Sequence, residues 1–567
     1  MRGDILALIV IGIYWLGYKF YSKYLADKVF KLDDRKKTPA HKQEDGVDFV
    51  PTRKHILFGH HFASIAGAAP IIGPCIAVFW GWVPALVWVV LGNIFMGAVH
   101  DMATLFASVR HKARSIASIS GDIINRKARI AFLFIVLFLL WIVAAAFSVV
   151  IAKLFVAYPA AVIPVNGALV LALIMGYLLY VRKIPALVPS LVALALLYLL
   201  IPVGMQYPVD LTQIFAWTAN GALVFWVVFL MIYGFVASVL PVWVLLQPRD
   251  YINSHQLIVA LVTLLVAIFV AQPEIVAPAF NVAASDAPPI FPFLFITIAC
   301  GAISGAHGLV SSGTTSKQLN KETDMRRIGY GSMLIEGTLA LLAIIAATAG
   351  FANTEAWHDH YNSWTHASKH GMDAFIHGAA NFLTNIGIAQ ELGMIFIAVI
   401  IIGFASTTLD TVFRIQRFIV AELGEELKVP EFGNRYLGST IAVVTVLLLI
   451  FSNGFGNLSG AFALWPLFGV ANQVLASLAL FVVALYIFRR DKKDGDFWLL
   501  SIFSDKKPKL SYLAIMIPAV IMLILTLISN LVSITEFIEA NNFVLASISI
   551  VLFVLQVTVV YQGSKQL

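Results

Sequence analysis

The chain has 567 residues, 60% of them hydrophobic and 12% charged, with a formal net charge of +7 and a mean hydropathy of +0.88. A soluble domain carries about 25% charged residues, so a water-soluble fold has no way to hide this much apolar surface, and lipid is the solvent for most of the chain. The two cysteines, Cys75 and Cys300, lie in apolar stretches and form neither a disulfide framework nor a metal motif.

A helix needs about 20 mostly apolar residues to cross the hydrocarbon core. In chain order the predicted spans are 4–22, 57–80, 84–109, 130–157, 165–181, 186–203, 221–246, 255–271, 291–316, 330–351, 391–412, 437–453, 460–488, 512–530 and 538–562, about 15 in all. The first lacks the basic flank and cleavage site of a signal peptide and reads as a mature helix. Under this parse about 34 of the 38 Lys and Arg fall on one side of the membrane. They lie in loops 23–56 and 110–129, at Arg182 and Lys183, at Arg249, and from Lys317 to Arg327. The rest are Arg414 to Arg435, Arg489 to Lys509, and Lys565. Loops 158–164, 204–220, 272–290 and 531–540, on the other side, contain none. The bias predicts an outside N-terminus and an inside C-terminus. It also explains the net charge as a topological signal with contact to anionic lipid, not as a nucleic-acid surface.

Blocks of five helices alternate in topology, so an inverted repeat is permitted, with spans 57–203 as the first half, 221–412 as the second, and 4–22 and 437–562 as additions. Helix breakers point the same way. The second span carries Gly67, Pro70, Gly73 and Pro74 at mid-membrane, and the seventh carries Gly234 and Pro241. Pro removes a backbone donor, and freed backbone at that depth is tolerated only against protein or a polar cavity. A packing kink is the plainer reading of each.

The run from His61 to Pro74 resembles the signature of the carbon starvation protein A (CstA) family. So do Gly97 to Asp101, Leu240 to Tyr251, Gly305 to Gln318 and Trp465 to Gln473. The resemblance covers about 55–475 in order. It implies an all-α transporter of the amino acid–polyamine–organocation superfamily, with the leucine-transporter-type five-plus-five inverted repeat. It further implies uptake of peptides, or of pyruvate with protons, across the bacterial inner membrane during carbon starvation. Ala69 departs from the pattern, standing where the family usually has Gly, and the outer loop, 353–390, is His-rich.

Ionisable groups inside a membrane mark pathways or proton relays by default. His100, Asp101, His307, Glu336 and Asp410 qualify as candidate proton-coupling groups, histidine because it titrates near neutral pH. The plainer readings are satisfied interhelical hydrogen bonds, and for Asp410 an ion pair with Arg414 one turn away. Ser64, Gly67, Ala68 and Pro70 of the second span are expected to line a substrate cavity, with Ser238, Trp243, His307 and Ser312. Half-helix N-termini there suit a carboxylate. The hydroxyls of Ser311, Thr314 and Thr315 offer sodium ligands as the alternative to proton coupling. The outer loop, with His358, His360, His366, His370 and His377, reads as a solvated lid without metal-site spacing. No cofactor, nucleotide-binding or hydrolase motif is visible, which argues against an enzyme. The rings of charge or repeated carbonyl filters of a channel are not visible either.

Overall fold

The apolar runs become helices because a backbone N–H or C=O in lipid has no solvent partner, and a helix satisfies both within one segment. The computed structural model describes residues 1–281, 286–451, 459–493 and 511–566. Helix α1 (Gly3–Phe30) precedes a bent pair, α2 (Lys54–Ile65) and α3 (Ala69–Trp80), followed by α4 (Trp82–Arg110). A short helix, α5 (Ile116–Ile123), leads to α6 (Arg126–Ala157), α7 (Pro159–Val181), α8 (Leu187–Ile214), α9 (Ala219–Val239) and α10 (Leu246–Ala271). Next come α11 (Ile290–Thr297), α12 (305–318) and α13 (Arg326–Ala349). The His-rich loop 353–390 folds into α14 (Thr354–His360) and α15 (Trp364–Thr384). The chain continues through α16 (Gln390–Leu427), α17 (Arg435–Ile450), α18 (Ser459–Lys493), α19 (Leu513–Glu539) and α20 (Phe543–Ser564). No named strand forms among the described residues; two isolated bridges pair Arg2 with Glu274 and Thr52 with Leu319.

Among the described residues, 12 helices are long and apolar enough to cross alone, and the pair α2–α3, bent by 45°, is a thirteenth if it forms one span. The other two predicted spans take different forms. Residues 437–453 correspond to α17, a shorter apolar helix, and 291–316 to the interrupted pair α11 and α12. The interruption expected in the seventh span is not there. Residues Ala219–Val239 form one continuous helix through Gly234, and the chain leaves helical geometry only at Leu240. Pro241 therefore follows a helix end instead of breaking a helix, as expected of a residue that cannot continue one.

The long helices α6 and α16 pack together, and α7 and α8 carry many exposed apolar side chains. Helix α15 packs on α3. Gly371 sits against Ile76 there, Tyr361 donates to the Cys75 carbonyl at 2.7 Å, and Trp364 tilts against Trp80 with ring centroids 4.5 Å apart.

Candidate functional site

Two helix breaks face the core, and each leaves carbonyls that other helices satisfy. At the first, Ala66 leaves helical geometry with ψ 64°. The Gly67 N–H turns to the Ile65 carbonyl at 2.8 Å, and Pro70 brings no N–H. The freed carbonyls of Ala63 and Ser64 accept from the hydroxyls of Thr407 and Thr408 on α16, at 3.1 and 3.2 Å. At the second break, between α11 and α12, Asn93 donates to the Gly301 carbonyl at 3.1 Å and Gln473 to that of Ile303 at 3.0 Å. Trp88 donates to Ile298 at 3.2 Å. The Ala306 N–H at the start of α12 finds Asn472 at 2.9 Å. Buried irregular backbone survives because each of these groups has a partner.

Between the breaks lies a small, mostly apolar cavity. Ser64, Gly67 and Ala69 line it from the first break, Cys300, Ala306 and His307 from the second, Phe147 from α6, and Thr408 from α16. A Cβ on Gly67 would lie 2.8 Å from the Phe147 ring and 2.9 Å from the Thr408 hydroxyl. Only glycine leaves this neck open.

Beside the cavity sits a buried cluster of acids and imidazoles. His307 Nδ1 lies 3.2 Å from Asp101 and 3.4 Å from Glu336, and the other Asp101 oxygen is 2.8 Å from His100 Nδ1. His100, Asp101 and Glu336 are 0% exposed and His307 is 2% exposed. Adjacent residues point about 100° apart on a helix, yet His100 and Asp101 do meet. His100 folds back against Gly308, whose lack of a side chain leaves room for the ring. Two carboxylates around one imidazole nitrogen give a proton more than one resting place. The donor atoms of Cys300, His307 and Glu336 also lie within 4.8 Å of one another. Asp101 already engages His307, however, and Ser304 lies 3.5 Å from the Cys300 sulfur.

A second buried cluster was not foreseen. Arg249 pairs with Asp410, and Tyr233 donates to the same carboxylate at 2.6 Å. Beside them Asp250 meets His60 Nδ1 at 2.5 Å, and His61 Nδ1 meets Thr315 at 2.9 Å. Asp410 thus takes Arg249 of α10, not Arg414. Arg414 turns to Asp48 at 3.2 Å and to the carbonyls of Ala237 and Leu240. Reading Arg249 as an inner-loop charge hid this pair; the signal available was its neighbour Asp250, in a stretch that continues into an apolar helix.

Other expected positions lie elsewhere. Ala68 and Pro70 are buried at the break beside the cavity residues. Ser238 bonds Ser439 of α17 at 2.8 Å and Trp243 packs on Tyr180 of α7 with ring centroids 5.8 Å apart, and neither lines the cavity between the breaks. Ser312 donates to the Gly308 carbonyl and lines a separate pocket with Lys317 and Glu422. Thr314 returns to its own helix at Val310, Thr315 is taken by His61, and Ser311 is buried. The hydroxyls that meet freed carbonyls belong to α16, to Thr407 and Thr408. In the outer loop His366 and His370 stack at 4.4 Å. Burial and the neighbouring His366 push the His360 imidazole below its usual range.

Long crossing helices around two broken ones, with a cavity and titratable groups at the breaks, define a secondary transporter of the leucine-transporter type. MhsT in complex with L-phenylalanine shares the fold, with a TM-score of 0.50 at 12% identity over 84% of this chain and 98% of that one. The family model of carbon starvation protein CstA matches residues 2–360 and 350–529, and the chain belongs to that family. It is 32% identical to the peptide transporter CstA of Campylobacter jejuni over 95% of this chain and 81% of that protein. It is 33% identical to the peptide transporter CstA of Helicobacter pylori, over 85% and 77%. The pyruvate/proton symporter BtsT of Escherichia coli is 31% identical, over 86% and 78%.

Proposed function

We propose that this chain imports small peptides by proton symport across the bacterial inner membrane, with pyruvate as the alternative cargo. The observation that carries proton coupling is the convergence of Asp101 and Glu336 on His307 at the second break, 3.2 and 3.4 Å away. Buried ionisable groups at a break next to a cavity are where a transporter ties a proton to its cargo. The names of relatives support the cargo: most are peptide transporters and one a pyruvate/proton symporter. Both cargoes carry a carboxylate, and the positive end of the α3 dipole at Ala69 lies beside the cavity. The Thr407 and Thr408 hydroxyls with the Ala63 and Ser64 carbonyls favour sodium as the second reading of the coupling ion, since together they are oxygen ligands at one place.

The same geometry supports a revised repeat. The broken pair α2–α3 matches the broken pair α11–α12, and long α6 matches long α16. Each half then carries a short helical segment before its long helix, α5 on one side and α14–α15 on the other. The first repeat runs from α2 to α10 with α7–α8 as a lipid-facing insertion, and the second from α11 to α18. The N-terminus lies outside and the C-terminus inside, as the loop charges require.

The test is counterflow in liposomes. Vesicles loaded with unlabelled dialanine should accumulate labelled dialanine transiently, and external pyruvate should compete weakly. Counterflow of pyruvate alone would reassign the cargo, and chemical conversion without exchange would overturn the transport reading.

A further inference from the structure

Where the end of α12 meets the second half of α16, three cationic side chains gather: Lys317, Arg414 and Arg417. Arg414 is 1% exposed and Arg417 7%, and Arg414 Nε is buried without a hydrogen-bond partner. Arg414 Nη1 lies 3.2 Å from one oxygen of Asp48, and Arg417 Nη2 lies 3.5 Å from the other. Lys317 Nζ lies over the Phe418 ring at 3.6 Å and 5.6 Å from the ring of Phe49. Two further carboxylates face the group, and both are committed elsewhere. Glu422 accepts from Ser115 at 2.5 Å and Ser118 at 2.8 Å, and Asp410 belongs to Arg249. Asp48 is therefore the one carboxylate that both arginines share among the described residues, while Glu422 lines the pocket beside Lys317.

Asp48 does not sit on a spanning helix. The loop before α2 presents it in a turn built by Asp45, whose carboxylate accepts from the N–H groups of Val47, Asp48 and Phe49 at 2.8, 2.9 and 2.8 Å. The loop is pinned to the end of α12 where the Thr52 N–H meets the Gln318 carbonyl at 3.0 Å. The pocket lined by Ser312, Lys317, Phe418 and Glu422 adjoins this mouth, and Ile415 lines both that pocket and the cavity between the breaks. The cavity, the pocket and the cations thus follow one seam between α12 and α16.

Buried guanidinium groups need a counter-charge, and paired arginines suit a carboxylate in particular. We propose that the inner mouth is a carboxylate-binding site of Arg414, Arg417 and Lys317, where Asp48 holds the place that a departing cargo's carboxylate takes. The inference rests on the transport reading above and adds the release site. Exchanging one carboxylate for another keeps the cations neutralised throughout release, and the loop swings aside without unpacking the bundle.

The test separates this site from the transport reading by using two readouts on purified full-length protein in liposomes. A single cysteine at Val47→Cys, in a background where the buried cysteines are Cys75→Ala and Cys300→Ala, is labelled by an impermeant maleimide from the inner face. Dialanine or pyruvate should speed labelling by displacing Asp48, and alanyl-alanine amide should not. In the transport arm, Asp48→Asn should lower KM for cargo presented at the inner face. Arg417→Gln should raise it by roughly tenfold, the scale of one charge-assisted hydrogen bond, with the outer-face KM unchanged. If labelling ignores all three probes, or responds equally to the amide, there is no carboxylate site at the mouth. The same holds if Asp48→Asn shifts KM equally at both faces, which keeps the test decisive should Arg417→Gln fail to fold. Wild-type protein that shows no counterflow with any cargo would count against the transport reading alone, because labelling is read without transport.

Discussion

His307 on α12 and Asp101 on α4 meet 3.2 Å apart in the core, and Glu336 of α13 closes on the same imidazole nitrogen from a third helix. Helix α12 begins at one of the two breaks, so any movement of that half-helix changes the distances within the trio. Such coupling lets protonation and opening bias each other, because each state of the helix holds the proton differently.

Removing one acid should therefore uncouple the protein without closing it. In Asp101→Asn or Glu336→Gln, dialanine accumulation driven by a pH gradient is expected to fall by at least about tenfold, since a preference of 1.4 kcal/mol is worth that much. Exchange at equal pH should persist. Uptake and counterflow measured on the same vesicles check this; equal loss of both would make the trio structural.

Gly67→Leu should abolish uptake and counterflow alike while the protein still elutes as a folded species from size-exclusion chromatography. The side chain would fill the neck between Phe147 and Thr408. Gly308→Ala should do something different. Its methyl would press on His100 at 2.8 Å, so coupling should weaken more than exchange.

Asp410→Asn should lower stability by roughly 3–5 kcal/mol, the cost of leaving a buried charge without its partner. Thermal unfolding in detergent would measure it. Arg249→Met combined with Asp410→Leu should recover most of the loss, because neither charge of this pair is then left buried without its partner. Arg414→Gln tests whether Arg414 was the partner after all; its effect should add to that of Asp410→Asn.

The outer loop should loosen in acid. The folded state holds the His360 imidazole below its usual pKa, so the unfolded loop binds more protons. Stability is then present above the unfolded value of about 6.5 and falls as the pH drops below it toward the folded value. His366, His370 and Asp373 face the same ring and shape the curve. Hydrogen exchange across α14 and α15 at pH 7.5 and 5.5 should show faster opening in acid, reduced in His360→Gln.

Much of the fold was legible because lipid enforces it. Apolar runs must be helices, so the extents of α6 and α13 follow from composition to within a few residues. The first break was legible too, since Gly67 and Pro70 cannot continue a helix. The second was not. Its residues, from Ile298 to Ser304, include no proline and a single glycine and stay apolar throughout, so hydropathy carries straight across the gap. Proline at 241 drew attention to the wrong place. What gives the break away is distant: Asn93, Gln473 and Asn472 are amides in apolar helices, each spent on a freed backbone group. The site divided similarly. His100, Asp101, His307 and Glu336 stood out as charges inside spans, whereas Arg249 and Asp250 were hidden because they begin a helix next to a loop. Thr407 and Thr408 gave no signal, since hydroxyls on membrane helices usually satisfy their own backbone.

The central claim is that protons drive cargo through the gap between the two breaks. Its most direct measurement records both fluxes at once: purified protein in sodium-free liposomes, an inward proton gradient, labelled dialanine outside and a pH-sensitive dye inside. Concentrative dialanine uptake with matching internal acidification, both lost in Asp101→Asn, is the expected result. Uptake that ignores the proton gradient and follows an imposed sodium gradient, with wild-type behaviour in Asp101→Asn, would contradict it.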